Sequence, residues 1–197
     1  MKNIFLLIML MLTIGSAQAQ LIKEKEPIDP KYLAGAVPEV DGKVVFSHDI
    51  VLDKTANADT LCRQVRRWIS QYYNRESVLK RSSMANDTEH HHLEVGIVEY
   101  ITFKDLLLVL DRTQIIYLLS VDVKDNQVSL RMSDISYYYE EERDAIKYTA
   151  EEWITDKASI RKSGDKFVKG HGKFRTNTID LFQRICNELE FCINDQQ

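Results

Sequence analysis

Apolar residues recur along this chain with two different periods, and the switches between them set out an order of elements. From Lys43 to Val51, Val44, Phe46, His48 and Ile50 interleave with Val45, Ser47, Asp49 and Val51, which predicts a strand whose apolar side lies mainly at even positions. Thr55 to Tyr73 changes to helical spacing: Leu61, Val65, Trp68, Ile69 and Tyr72 form one stripe, with Thr55 or Asn57 able to cap its start. Ser77 to Met84 and Leu93 to Phe103 read as strands again, separated by the polar run Asn86-Asp87-Thr88-Glu89. Thr113 to Val123 alternates, with Ile115, Tyr117, Leu119, Val121 and Val123 on one face. Asp125-Asn126 then signals a turn, and Val128 to Tyr139 completes a hairpin.

The stretch from Glu140 to Lys173 is charged and mixed, and it reads as an insertion packed onto the edge of the domain. Inside it, Thr149-Ala150-Glu151-Glu152 has capping-box spacing and predicts a short helix carrying Trp153 and Ile154. Gly164, Gly170 and Gly172 punctuate the rest. A final helix is predicted from Asn177, with Ile179, Phe182, Cys186, Leu189 and Ile193 along one face. The order strand, helix, four strands, insertion, helix predicts an α+β fold. In it, a curved antiparallel sheet of about five strands carries two helices on one face and leaves the other open.

The ends of the chain change the picture next. Lys2 is followed by the apolar stretch Ile4 to Leu12 and then by the small-residue pattern Ala17-Gln18-Ala19, so residues 1–19 predict a cleaved secretory signal peptide. The stretch is shorter than the ~20 residues a helix needs to span a bilayer. A lipoprotein would need a cysteine directly after the small residues, but the first is Cys62, so a lipid anchor is not expected. Residues 20–42 hold Pro27, Pro30 and Pro38 and read as an extended leader, with 43–197 as a single domain. Cleavage removes one basic residue and no acid, turning the net charge of −4 into −5, which disfavours phosphate-rich partners.

Several strings also resemble a known family. KYLAGAVPEVDGKVVFS (31–47), LDRT (110–113), YYYEEERD (137–144), YTAEEWITD (148–156) and GKFRTNTID (172–180) are similar in order to an exported bacterial family, domain of unknown function 4468, described as TBP-like. The resemblance implies a curved antiparallel sheet with two helices on its convex side, and it implies no activity. The histidines at 90–92 do not look like a family feature, so a site built on them would be peculiar to this protein.

Candidate chemistry is sparse. His90 and His92 on a strand would share a face ~7 Å apart and could begin a metal site with Glu94, given a further ligand from elsewhere. Tyr137 and Tyr139, sharing a strand face, and Trp153 in the insertion are candidates for binding a partner. Cys62 can bridge to Cys186 or Cys192, or all three can be core thiols; on one helix, Cys186 and Cys192 lie ~9 Å apart along the axis, beyond disulfide reach. Arg63, Arg66 and Arg67 fall on the first helix, away from the sheet, and nucleic acid is not an expected partner. No nucleophile elbow, zinc-protease helix, phosphate-binding loop or Cys-x-x-Cys occurs, and no cofactor is implied. The expectation is a non-enzymatic module of a Gram-negative periplasm or envelope. It would bind a protein, peptide or glycan through the open sheet face and the insertion. The rival is an envelope enzyme with an unrecognised carboxylate, histidine or metal site.

Overall fold

The computed structural model describes residues 28–53, 55–87, 89–106, 109–139 and 146–195. The predicted signal peptide and the first part of the leader lie outside these residues. The rest of the leader is more ordered than an extended arm: a 3-10 turn at Pro30–Tyr32 is capped by Asp29, and β1 (Glu39–Val40) pairs with β2 (Lys43–Val44). Asp41 and Gly42 both take positive φ, 51° and 75°, and so form the tight turn this hairpin needs.

The main sheet begins with β3 (Phe46–Val51). It continues through β4 (Val78–Arg81), β5 (Ala85–Asp87), β6 (His92–Leu106), β7 (Val109–Lys124), β8 (Gln127–Tyr139) and β9 (Ile146–Thr149). All pairings are antiparallel, in the order β3-β8-β7-β6-β4, with β5 also on β6 and β9 also on β8. The five expected strands form this main path. The two extra strands, β5 and β9, are short segments added to the sheet, and β9 lies within the predicted edge insertion.

Helix α1 (Ala58–Tyr72) is capped by Asn57, whose Oδ1 accepts from the Thr60 N–H at 2.8 Å. The β7–β8 turn seats the helix: Asn126 Oδ1 and Asp125 Oδ1 accept from the backbone of Ala56 and Ala58. Short helices α2 (Ala150–Trp153) and α3 (Asp156–Ser159) follow β9, and α2 opens on the predicted Thr149–Glu152 capping box. The last helix, α4 (His171–Asp195), starts six residues earlier than its apolar face suggested, taking Gly172, Phe174 and Arg175 into its first turns.

Alternation decides which sheet face is covered. Leu93, Val95, Ile97 and Ile101 of β6 and Ile115, Tyr117, Leu119, Val121 and Val123 of β7 are buried. They form one core with Leu61, Val65, Trp68 and Ile69 of α1 and with Leu181, Ile185, Leu189 and Ile193 of α4. Val98, Ile116 and Leu118, on the opposite face, are only half-buried. Among the described residues no helix is long and apolar enough to cross a membrane.

Candidate functional site

The three residues expected to bind a partner instead belong to an aromatic cluster around Phe174. Tyr137 is fully buried, and its hydroxyl is 2.7 Å from Thr178 Oγ1, so it cannot reach a partner. Tyr139 is half-buried: its hydroxyl donates to Asp111 Oδ1 at 2.9 Å and accepts from Lys173 Nζ at 2.8 Å. Trp153 stacks on His171 at 4.3 Å and meets Tyr148 and Phe174.

A bulge explains the tyrosines. Val128, Leu130 and Met132 face the core at even positions, but the pairing of β8 with β7 shifts between Ser133 and Ser136, where Asp134 takes a φ of 52°. The extra residue flips the parity. Ile135 and Tyr137 therefore turn inward, and Tyr138 is delivered to the open face. There it joins the row Tyr100, Gln114, Tyr138, Lys147, with the Arg112 guanidinium 3.8 Å from the Tyr100 ring.

The histidines are separated by backbone geometry. His91 takes φ 51° in the turn before β6, so His90 and His92 do not share a strand face. Each meets a different acid: His90 Nδ1 lies 2.7 Å from Asp87, His91 Nε2 2.8 Å from Asp59 and His92 Nδ1 2.7 Å from Asp122. These contacts hold the carboxyls of Asp87 and Asp59 below their ordinary range. Among the described residues no group of three or more His, Cys, Asp or Glu side chains is arranged to hold a metal ion.

The bridge from Cys62 is absent, because Cys62 and Cys186 are both free thiols buried in the core. Burial raises the Cys62 thiol and pushes Cys186 up to about 12, which suppresses the thiolate that disulfide exchange requires. Arg63, Arg66 and Arg67 are exposed on α1, in the helical layer.

Two of the concave regions among the described residues combine charge with a shaped lining. The larger, about 1010 Å³, lies where the insertion meets the first turns of α4 and the end of the leader. Its apolar lining includes Ile28, Leu33, Phe167 and Val168; Arg161, Lys166, Lys169 and Lys173 supply positive charge against Asp165. The sequence builds it through a loop closed by the Ile160–Phe167 bridge, turned at Gly164 with φ 77°, and followed by Gly170 at φ 88°. A Cβ on Gly172 would stand 2.5 Å from Phe167 Cδ2, so only glycine lets Phe167 lie against the first turn of α4. Lys173 is held by Asp111 at 2.8 Å, while Arg161, Lys166 and Lys169 remain exposed.

The smaller region was not anticipated. Glu99 sits on the core face of β6, 1% exposed, where its alternating neighbours are aliphatic. Its Oε1 accepts from the Tyr117 hydroxyl at 2.6 Å, and Tyr117 also meets Tyr73 at 3.1 Å. Arg75 Nη2 lies 3.5 Å from Glu99 Oε2. Burial raises the Glu99 carboxyl above its ordinary value, against the opposing pull of the Tyr117 hydrogen bond and of Arg75 and Arg184. Burial likewise holds the Tyr73 and Tyr117 phenols far above theirs. A polar residue in the row Leu93, Val95, Ile97, Glu99, Ile101 was the available sequence signal.

The antiparallel sheet with both long helices on one face defines the class: an α+β protein of the TBP-like fold. A model of the family described as "Domain of unknown function (DUF4468) with TBP-like fold" matches residues 46–138. A DUF4468 family protein from Bacteroides ovatus is similar in crystal structure, with TM-score 0.71 and 30% identity, covering 82% of this chain and 92% of that one. A TBP-like protein from Parabacteroides distasonis shares the fold at TM-score 0.63 and 20% identity, covering 79% and 96% of the two chains. The chain therefore belongs to the DUF4468 family. No curated protein matches it. The family match ends at Tyr138, so the insertion and α4, which build the larger groove, lie outside it.

Proposed function

We propose that the protein is a non-enzymatic binding module exported to the periplasm or cell envelope, and that its insertion groove grips an acidic, extended peptide segment of an envelope protein. One observation carries this reading: in a chain of net charge −4, this groove sets the exposed Arg161, Lys166 and Lys169 beside the Asp111-paired Lys173, with Asp165 as the acid in its lining, around an apolar floor. The local positive field of the groove, acting at short range against the net negative charge, would hold an acidic segment there, and Phe167, Val168 and Leu33 would receive its apolar side chains. The signal-peptide pattern of residues 1–19 supports export.

The test is fluorescence anisotropy of a dye-labelled peptide alternating Glu and Leu, titrated with the mature protein. Saturable binding that weakens with salt and is lost in the double variant Lys166→Glu/Lys169→Glu supports the groove. Binding that ignores salt or survives the double variant overturns it, as does exclusive binding of a neutral glycan. N-terminal mass analysis of the protein recovered from cells tests export, with Gln20 as the expected first residue and an intact Met1 as the refuting result.

A further inference from the structure

The cavity beside Glu99 is separate from the groove. It measures about 290 Å³ and lies between β6, the segment after α1 and the middle of α4, with Arg75, Ser77, Glu99, Thr102, Asn177 and Arg184 in its lining. Its charges are unevenly satisfied. Asp180, also in the lining, is engaged elsewhere: both its oxygens accept from the Tyr32 hydroxyl, and Oδ1 pairs with Lys31 at 3.0 Å. Glu99 is the remaining acid, and its Oε1 is taken by Tyr117.

Arg75 and Arg184 face Glu99 across the cavity, and Glu188 on α4 also acts on Arg75. Arg75 lies on the Tyr72 ring at 3.7 Å, which fixes the plane of its fork. Its Nε and Nη2, one edge of the guanidinium, are buried and close no hydrogen bond of good geometry, although the Tyr72 hydroxyl and Glu99 both draw on the group. Contact with Glu99 at 3.5 Å from Nη2 is an ion pair beyond ordinary hydrogen-bond length. Buried donors left in this state are costly, and a planar group offering two acceptor oxygens matches that edge bidentately. Arg184 reaches the same cavity from α4, where it hydrogen-bonds toward the Tyr72 hydroxyl and acts on Glu99 through its charge.

We propose that this cavity binds a small carboxylate ligand, held by the Arg75 fork and the Arg184 guanidinium, with Ser77, Thr102 and Asn177 offering polar contacts around it. Its size suits a mono- or dicarboxylate of a few carbons rather than a polymer. Arg75 is the specificity element, because a lysine keeps the charge but loses the fork.

Two-dimensional amide NMR of the mature protein, titrated with sodium succinate against sodium chloride at matched ionic strength, tests this. The expected result is saturable shifts at Ser77, Thr102 and Asn177 that chloride does not produce. Arg184→Ala, an exposed position that leaves the core intact, should weaken succinate binding by at least about tenfold, and Arg75→Lys comparably. Shifts that do not saturate, that chloride reproduces, or that both variants retain at full affinity overturn the proposal. Binding of phosphate without succinate overturns the carboxylate assignment. Neither result depends on the groove, whose lysines are not touched.

Discussion

Arg175 on α4 and Glu99 on β6 are the two charged side chains buried among the described residues, and their surroundings treat the charge in opposite ways. Arg175 is wrapped in acceptors. Its Nε donates to the Tyr32 carbonyl, Nη1 to the Ile154 carbonyl and Ser159 Oγ, and Nη2 to the Leu33 carbonyl and Asp156 Oδ1. Those acceptors come from the leader and from the helical segment after β9, so one side chain ties both to α4. Glu99 has a single phenol at hydrogen-bond distance and a guanidinium that approaches without closing. A buried charge with every donor used specifies a structure; one left half-coordinated beside a cavity is equipped to respond to a ligand or a proton.

The largest effect should come from Arg175→Met. The variant keeps some apolar volume but takes a donor from the carbonyls of Tyr32, Leu33 and Ile154 and from Asp156 Oδ1, of which Ile154 and Asp156 keep other donors, so it should lose about 3–5 kcal/mol in urea denaturation. A loss below about 1 kcal/mol would mean that the network is dispensable and the contrast with Glu99 is false. Tyr117→Phe attacks the other member by removing the phenol that Glu99 Oε1 relies on, and should cost about 1–3 kcal/mol. Asp156→Asn sharpens the first member: it removes the one carboxylate paired with Arg175 but keeps an acceptor, leaving the carbonyls in place. Because Asp156 is 38% exposed, the expected loss is only about 1 kcal/mol.

The two members of the comparison were unequally legible in the sequence. The strand alternation of β6 and β7 could be read directly, and it held an unused signal in Glu99, a carboxylate in an aliphatic row that the sequence reading passed over. Its partners could not be read, because Tyr73, Arg75 and Arg184 come from other segments and converge only through the packing of α1 and α4 against the sheet. Arg175 gave no signal, since its acceptors are mostly main-chain carbonyls, which every residue has. Tyr137 and Tyr139 were read with the correct spacing but on the wrong face, because one bulged residue at Asp134 reverses the parity of β8. The groove depends on Gly172 and Phe167, a contact between a loop and a helix start that no periodic pattern announces.

Glu99→Gln carries the smallest effect and decides most. Burial raises the Glu99 carboxyl in the folded protein, while the unfolded chain has the ordinary glutamate value. Between those two values the folded state binds more protons than the unfolded one, so this group makes stability fall as pH rises through the window. Below the ordinary value both states are protonated and the cost of burying the charge is absent. Glutamine has no such proton, and Arg75, a third exposed, can turn toward water when its partner is neutral. The variant should therefore differ from the parent by less than about 1 kcal/mol at pH 7, and its advantage should grow as pH rises across the window and then level off. Urea denaturation of both proteins from pH 4 to 7.5 measures this difference curve, in which the other titrating groups cancel. A difference that stays flat, or that favours the parent more as pH rises, would show Glu99 to be a well-paired anion. It would then be as fully coordinated as Arg175, and the half-satisfied centre beside the cavity would lose its basis.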